Sequence, residues 1–207
     1  MRLTVFFELR LRLSLQNTAE LLNPDSLTQT GTKMGGWSLE YAVAADDKEA
    51  LAFANRSFPW AREQGSPLVG FFPSNASKPY YQESESCEVA DMIALAIKLS
   101  RAGAGDYWDD VDRWVRNQFA ENQLLRAEWV DEVPKPGSRH KPLFNETAER
   151  VAERNVGAFA GWPGVNDWVL RKGIMHCCTG NATRALYYIL GNHAAIRGRN
   201  TECESVA

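Results

Sequence analysis

Val89, Met92, Ile93, Ala96 and Leu99 return every three or four residues between Glu85 and Ala102. That spacing puts five apolar side chains on one face of an α-helix and does not fit the two-residue alternation of a half-buried strand. Gly103 stands where the helix would stop, and Asp106 can cap a second one whose first turn holds Asp109 and Asp110. Val111, Trp114, Val115 and Phe119 form the stripe of this second helix, so the two are expected to make a tight hairpin. Further helices are expected from Glu146 to Phe159 and from Asn181 to Leu190, with a weaker helical signal from Asp47 to Asn55. The connectors Phe71 to Tyr81, Val133 to Pro142 and Gly161 to Gly173 are aromatic and rich in Pro and Gly, with little alternation to suggest a large sheet. The reading is an all-α fold with long loops. Leu3 to Leu13 fits a strand or a helix and Asn23 to Gly36 reads as loop, so residues 1–36 form a poorly defined N-terminal segment.

With 44% hydrophobic residues among 207, the chain can bury the core of one globular domain spanning 1–207. A net charge of -3 supplies no broad basic surface for phosphate neutralisation, so nucleic acid is not an expected partner. No segment reaches the ~18 uninterrupted apolar residues of a bilayer span. Glu8, Arg10 and Arg12 interrupt the apolar run of Met1 to Leu15 before it reaches signal-peptide length, so the expectation is a soluble, cytoplasmic protein. Four cysteines are too few for a disulfide scaffold, and two of them, Cys177 and Cys178, are adjacent, a poor geometry for bonding each other. Metal or thiol chemistry is the better expectation.

Glu85 and Cys87 stand two residues apart where the clearest helix begins, and an extended approach to that helix would turn both to one side. Cys177 and Cys178 likewise precede an expected helix, so both pairs could meet at loop-to-helix junctions on one end of a helical layer. Three thiolates and a carboxylate suit the tetrahedral, borderline-soft preference of Zn²⁺ better than the oxygen preference of Mg²⁺ or Ca²⁺. A cation and a following helix N-terminus would both favour thiolate as the resting form.

Glu85-Ser86-Cys87 before an apolar helix, together with Cys177-Cys178-Thr179-Gly180-Asn181-Ala182-Thr183-Arg184, resembles the motifs of the cysteine-dependent retaining β-L-arabinofuranosidases. The resemblance spans Glu85 to Leu190 and implies a glycoside hydrolase with an (α/α)6, six-hairpin barrel. It implies Zn²⁺ held by Glu85, Cys87, Cys177 and Cys178, a carbohydrate substrate, and Cys177 as the nucleophile. Thr179 and Gly180 replace the two prolines that commonly follow the doublet in that family. The family's acid/base glutamate lies a short way upstream of the Glu-x-Cys pair, where Glu63 and Glu83 are the nearby candidates. Twelve helices need roughly 300 residues at ordinary helix and loop lengths. The chain therefore corresponds to an incomplete barrel, and self-association through exposed helix faces is expected.

Other readings stay open. The cysteines could be small buried hydrophobes, or a closed zinc site could stabilise a non-catalytic helical module that binds carbohydrate. A cysteine peptidase would need a histidine facing Cys177, and the side chain of adjacent His176 diverges from it. His176 could instead support the site from behind, while His140 and His193 are expected at the surface and Cys203 has no partner pattern. Trp60, Tyr80, Tyr81, Trp129, Trp162 and Trp168 could stack on sugar faces or pack under loops, whereas Trp108 and Trp114 fall in a helical stripe and read as core. Asp109, Asp110 and Asp112 read as first-turn charge on a solvated helix face.

Overall fold

A computed structural model describes residues 39–73, 83–132, 147, 149–165, 167–168 and 173–196. The N-terminal segment 1–36, Tyr80, Tyr81, the Val133 to Pro142 connector, His140 and Cys203 lie outside the described residues. The fold is mostly helical, with isolated β-bridges and no strand among the described residues. A helical stretch at 39–44 is followed by α1 (Lys48–Glu63), α2 (Ser86–Arg101), α3 (Trp108–Trp114), a π-helical turn (Val115–Phe119), a 3-10 turn (Glu128–Glu132), α4 (Val151–Arg154) and α5 (His176–Gly191). None of the described helices is long and apolar enough to cross a membrane.

The helix announced by the apolar stripe is more central than an amphipathic surface helix. In α2, 13 of 16 residues are buried, so it forms the axis on which the other elements pack rather than one side of a layer. Its end is fixed by Gly103, left-handed at φ 65, with Ala104 N–H donating to Leu99 O at 3.0 Å and Gly103 N–H to Ser100 O at 3.2 Å. The expected hairpin to α3 follows, but Asp106 does not cap it. Tyr107 takes that position, because its N–H is held by Ser100 Oγ at 2.9 Å. The second helix also breaks sooner than its stripe suggests. Asn117 is non-helical (φ -99, ψ -108), and Gln118 N–H leaves the helix to donate to Val69 O at 3.1 Å.

Phe58 from α1, fully buried, meets the Tyr107 ring at 4.3 Å and the Trp114 ring at 6.2 Å, and Phe72 meets Trp114 edge-on at 5.0 Å. Trp114 is core, as its stripe position implies, while Trp108 is half-buried against the same cluster. The acidic run does not form a wholly solvated face. Asp110 is buried and takes a two-pronged ion pair from Arg62 of α1, at 2.7 and 2.9 Å, which binds α1 to α3. Asp112 pairs with Arg116 one turn on, and only Asp109 of the three is exposed.

Other helix boundaries also differ from their expected positions. Helix α1 runs past Asn55 to Glu63. Among the described residues between Glu146 and Phe159 only Val151–Arg154 is α-helical, because Arg150 before it and Gly157 after it adopt left-handed backbone (φ 48 and 94). Phe159 instead bridges to Gln123 and packs its ring 5.0 Å from Phe119. Helix α5 begins at His176, five residues ahead of Asn181, with Met175 extended (φ -121, ψ 134) as its N-cap. The run His176 to Gly180 carries no apolar period that could announce a helix.

Candidate metal centre

Helices α2 and α5 pack along each other more extensively than any other described pair. Cys87 meets Cys178, Asp91 meets Asn181 and Arg184, and Lys98 lies over the Tyr188 ring, so position numbers rise together and the helices run parallel. Their N-termini consequently lie side by side. Glu85 arrives in extended backbone (φ -110, ψ 122) and Cys87 sits in the first turn of α2. Cys177 and Cys178 sit in the first turn of α5 rather than in a loop before it, since the helix starts upstream of them.

The head of α2 is held by three backbone bonds from consecutive residues. Ser84 N–H donates to Pro163 O (2.7 Å), Glu85 N–H to Phe72 O (2.9 Å) and Ser86 N–H to Gly161 O (3.2 Å). Gly161 also donates to Gly173 O at 2.8 Å, and neighbouring Ala160 bridges to Ile174, just ahead of α5. The segment around Gly161 thus ties both helix heads to one backbone strip. Thr179 anchors the doublet to the same strip: its hydroxyl accepts from Phe159 N–H (3.1 Å) and donates to Phe159 O (3.2 Å).

The three sulfurs all lie within 4.8 Å of one another. Cys87 Sγ is 3.4 Å from Cys178 Sγ, and Cys177 Sγ is 3.8 Å from Cys178 Sγ. Thiolates about 2.3 Å from one ion at tetrahedral angles lie about 3.8 Å apart, so the donor set fits a single soft or borderline metal ion with little movement. Cys87 and Cys178 are completely buried, while Cys177 is exposed. Glu85, buried at the head of α2, is outside this group of converging donors.

The resting thiolate expected for this doublet is not what the metal-free geometry favours at Cys178. Cys178 donates to Gly161 O at 3.7 Å; its hydrogen bond with Cys87 and its burial push the Cys178 thiol above its ordinary value. Without a cation it is a neutral thiol despite the helix N-terminus. A metal ion would supply the charge that turns all three into thiolates.

Of the remaining motif residues, Asn181 donates to Cys87 O (3.1 Å) and to Asp91 Oδ1 (2.9 Å), and Arg184 donates to Asn181 Oδ1 (2.9 Å) and Asp91 Oδ1 (2.5 Å). Asp91 is the member that sequence reasoning missed. Its signal was its place one helical turn after Cys87, masked by the apolar residues around it. His176 and His193 are exposed, Glu63 is exposed at the end of α1, and Glu83 is buried ahead of α2. Trp168 packs edge-on against Trp129 at 5.7 Å with its indole N–H on Asn122 O, and Trp60 and Trp162 are half-buried.

No family model, curated protein or solved structure matches this chain.

Proposed function

We propose that the chain is a zinc-dependent glycoside hydrolase module in which Cys177 is the nucleophile, acting with retention on β-L-arabinofuranoside-like linkages. The observation that carries this reading is the asymmetry of the cluster: two sulfurs are sealed in the core and the third, Cys177, is open to solvent. Cys87 and Cys178 suit a permanent holding role, with Glu85 completing the set if its carboxylate turns inward. Bound zinc would keep Cys177 deprotonated at neutral pH. The Cys177 thiolate would attack the anomeric carbon as the glycosidic C–O bond breaks and the leaving oxygen takes a proton from a carboxylic acid. Water would then displace sulfur, giving its proton to the same carboxylate and restoring the thiolate. Glu83, buried four residues before Cys87, suits the acid/base role better than exposed Glu63. Trp162, half-buried beside Gly161, adjoins the strip under the site.

The parallel run of α2 and α5 supports the barrel component of this proposal, because successive helical hairpins laid side by side leave every first helix parallel to the next. On that reading the chain contributes part of an (α/α)6 barrel.

The second reading is a zinc-stabilised module without catalysis, favoured by the complete burial of Cys87 and Cys178. Metal analysis beside hydrolysis of an aryl β-L-arabinofuranoside separates the two. The hydrolase reading expects about one zinc per chain, turnover abolished in Cys177→Ser, and Cys177 as the residue labelled by an electrophilic arabinofuranose analogue. Zinc in the intact chain with neither turnover nor sugar labelling of Cys177 would leave the structural module. Absence of zinc would sink both.

A further inference from the structure

We infer that Asp91 is a positioning residue for the thiol cluster, acting through Asn181 and Arg184 to set the register of α5 on α2. As a metal-site residue it rests on the zinc reading above; as the device that brings the sulfurs together it stands on the geometry alone.

Along α5, Cys177, Asn181 and Arg184 are spaced by four and three residues, so they rise along one face. Along α2, Cys87 and Asp91 are four apart and share a face in the same way. The polar contacts lie one and two turns above the sulfurs. Asp91 Oδ1 receives both the Asn181 amide and the Arg184 guanidinium, while Arg184 also grips Asn181 Oδ1, which fixes the amide's orientation. So oriented, Asn181 Nδ2 reaches the carbonyl of Cys87 itself at 3.1 Å. The path from Asp91 through Asn181 to the cluster is therefore two hydrogen bonds long, braced by Arg184, and ends on the backbone of a cysteine.

Apolar packing alone would hold α2 and α5 together but would tolerate sliding, since Val, Ile, Leu and Ala surfaces are non-directional partners. A slip of one residue moves a helix 1.5 Å along its axis, enough to spoil sulfur separations of 3.4 and 3.8 Å. Directional bonds to a carboxylate 3% exposed, from Asn181 and Arg184, remove that freedom. Arg62 and Asp110 form a comparable charged clasp between α1 and α3, in contact with none of the cysteines, and supply a control of matching chemistry.

The test compares Asp91→Asn, Arg184→Lys and Arg62→Gln in the full chain by two readouts. The first is titration with Co²⁺ alone, followed by the sulfur-to-cobalt charge-transfer band. The second, on metal-free protein, is the rate at which diamide, captured by the exposed Cys177 thiol, withdraws one hydrogen each from Cys177 and Cys87 to close a disulfide, quantified by peptide mass. Loss of a supporting hydrogen bond behind a ligand weakens metal binding by about 10- to 100-fold. That loss is expected in Asp91→Asn, with a smaller one in Arg184→Lys, which keeps the cation but loses the Nε bond to Asn181. Disulfide closure should slow in the same order, and Arg62→Gln should change neither readout while lowering the melting temperature. If Asp91→Asn does not fold, Arg184→Lys carries the same comparison. Wild-type rates and affinities in these variants, or equal losses in Arg62→Gln, overturn the inference. If the intact chain takes up no cobalt, the metal reading fails and the disulfide rates alone decide the role of Asp91.

Discussion

At the scale of single residues, the thiol chemistry turns on proton ownership at Cys178. Its pKa in the folded, metal-free chain lies above the ordinary thiol value of 9.0, through its hydrogen bond with Cys87 and its burial. The fold therefore favours the protonated form, and the stability this contributes is fully present below pH 9.0 and drains away as pH rises beyond it. Denaturant midpoints of metal-free protein from pH 7 to 10.5 should fall above pH 9, and the fall should be smaller in Cys178→Ala; a flat profile in the intact chain would remove this account. With zinc bound the dependence reverses, because protons compete with the metal for the thiolates as pH drops. The cysteines themselves were legible in the sequence, since their residue types and spacing are visible without a fold. The neutral state of Cys178 was not, because it depends on burial and on Cys87, 91 residues away in the chain.

At the scale of elements, the apolar period announced α2 and most of α3, and Gly103 marked the turn between them. It missed the first turn of α5, whose residues carry no apolar period, and it overextended the helix before Phe159, where two left-handed residues prevail over the local pattern. It also could not show that α2 is enclosed on all sides, since burial of Ser86, Glu88 and Asp91 follows from what packs on them. The strip holding both helix heads leads to a sharp expectation. A Cβ at Gly161 would lie 2.5 Å from Met175 Cγ and 3.1 Å from Met175 Cβ. Met175 is the N-cap of α5, so a shift of its Cβ to relieve that overlap would disturb the turn carrying Cys177 and Cys178. Gly161→Ala should cost about 1 to 3 kcal/mol in unfolding free energy. It should also weaken metal uptake more than a substitution of equal cost at a distance, such as Gly103→Ala, where nothing lies within 4 Å. Equal metal affinity in the two variants would show that the strip does not govern the site.

At the scale of the whole molecule, a metal ion joining Cys87 to the doublet would span a sequence separation of 91 residues. Binding only the folded state, zinc at a hundred times its dissociation constant would add about 2.7 kcal/mol. Chelation should accordingly lower the melting temperature, and calorimetry with and without a chelator checks this; identical melts would argue against a bound ion. Tyr187 and Leu190 are 76% and 70% exposed, three residues apart on α5, and a barrel fragment would hide such a face. Sedimentation at rising concentration should show association that Tyr187→Lys weakens, and a monomer throughout would count against the fragment reading. The same long separation also sets a timetable during synthesis. At roughly 5 to 20 residues per second, the ribosome needs about 5 to 18 s to add the residues between Cys87 and Cys178. For all of that interval the most enclosed of the described helices has no α5 to lie against, and its thiol no sulfur to meet, so the growing chain must be sheltered or risk sticking to its neighbours.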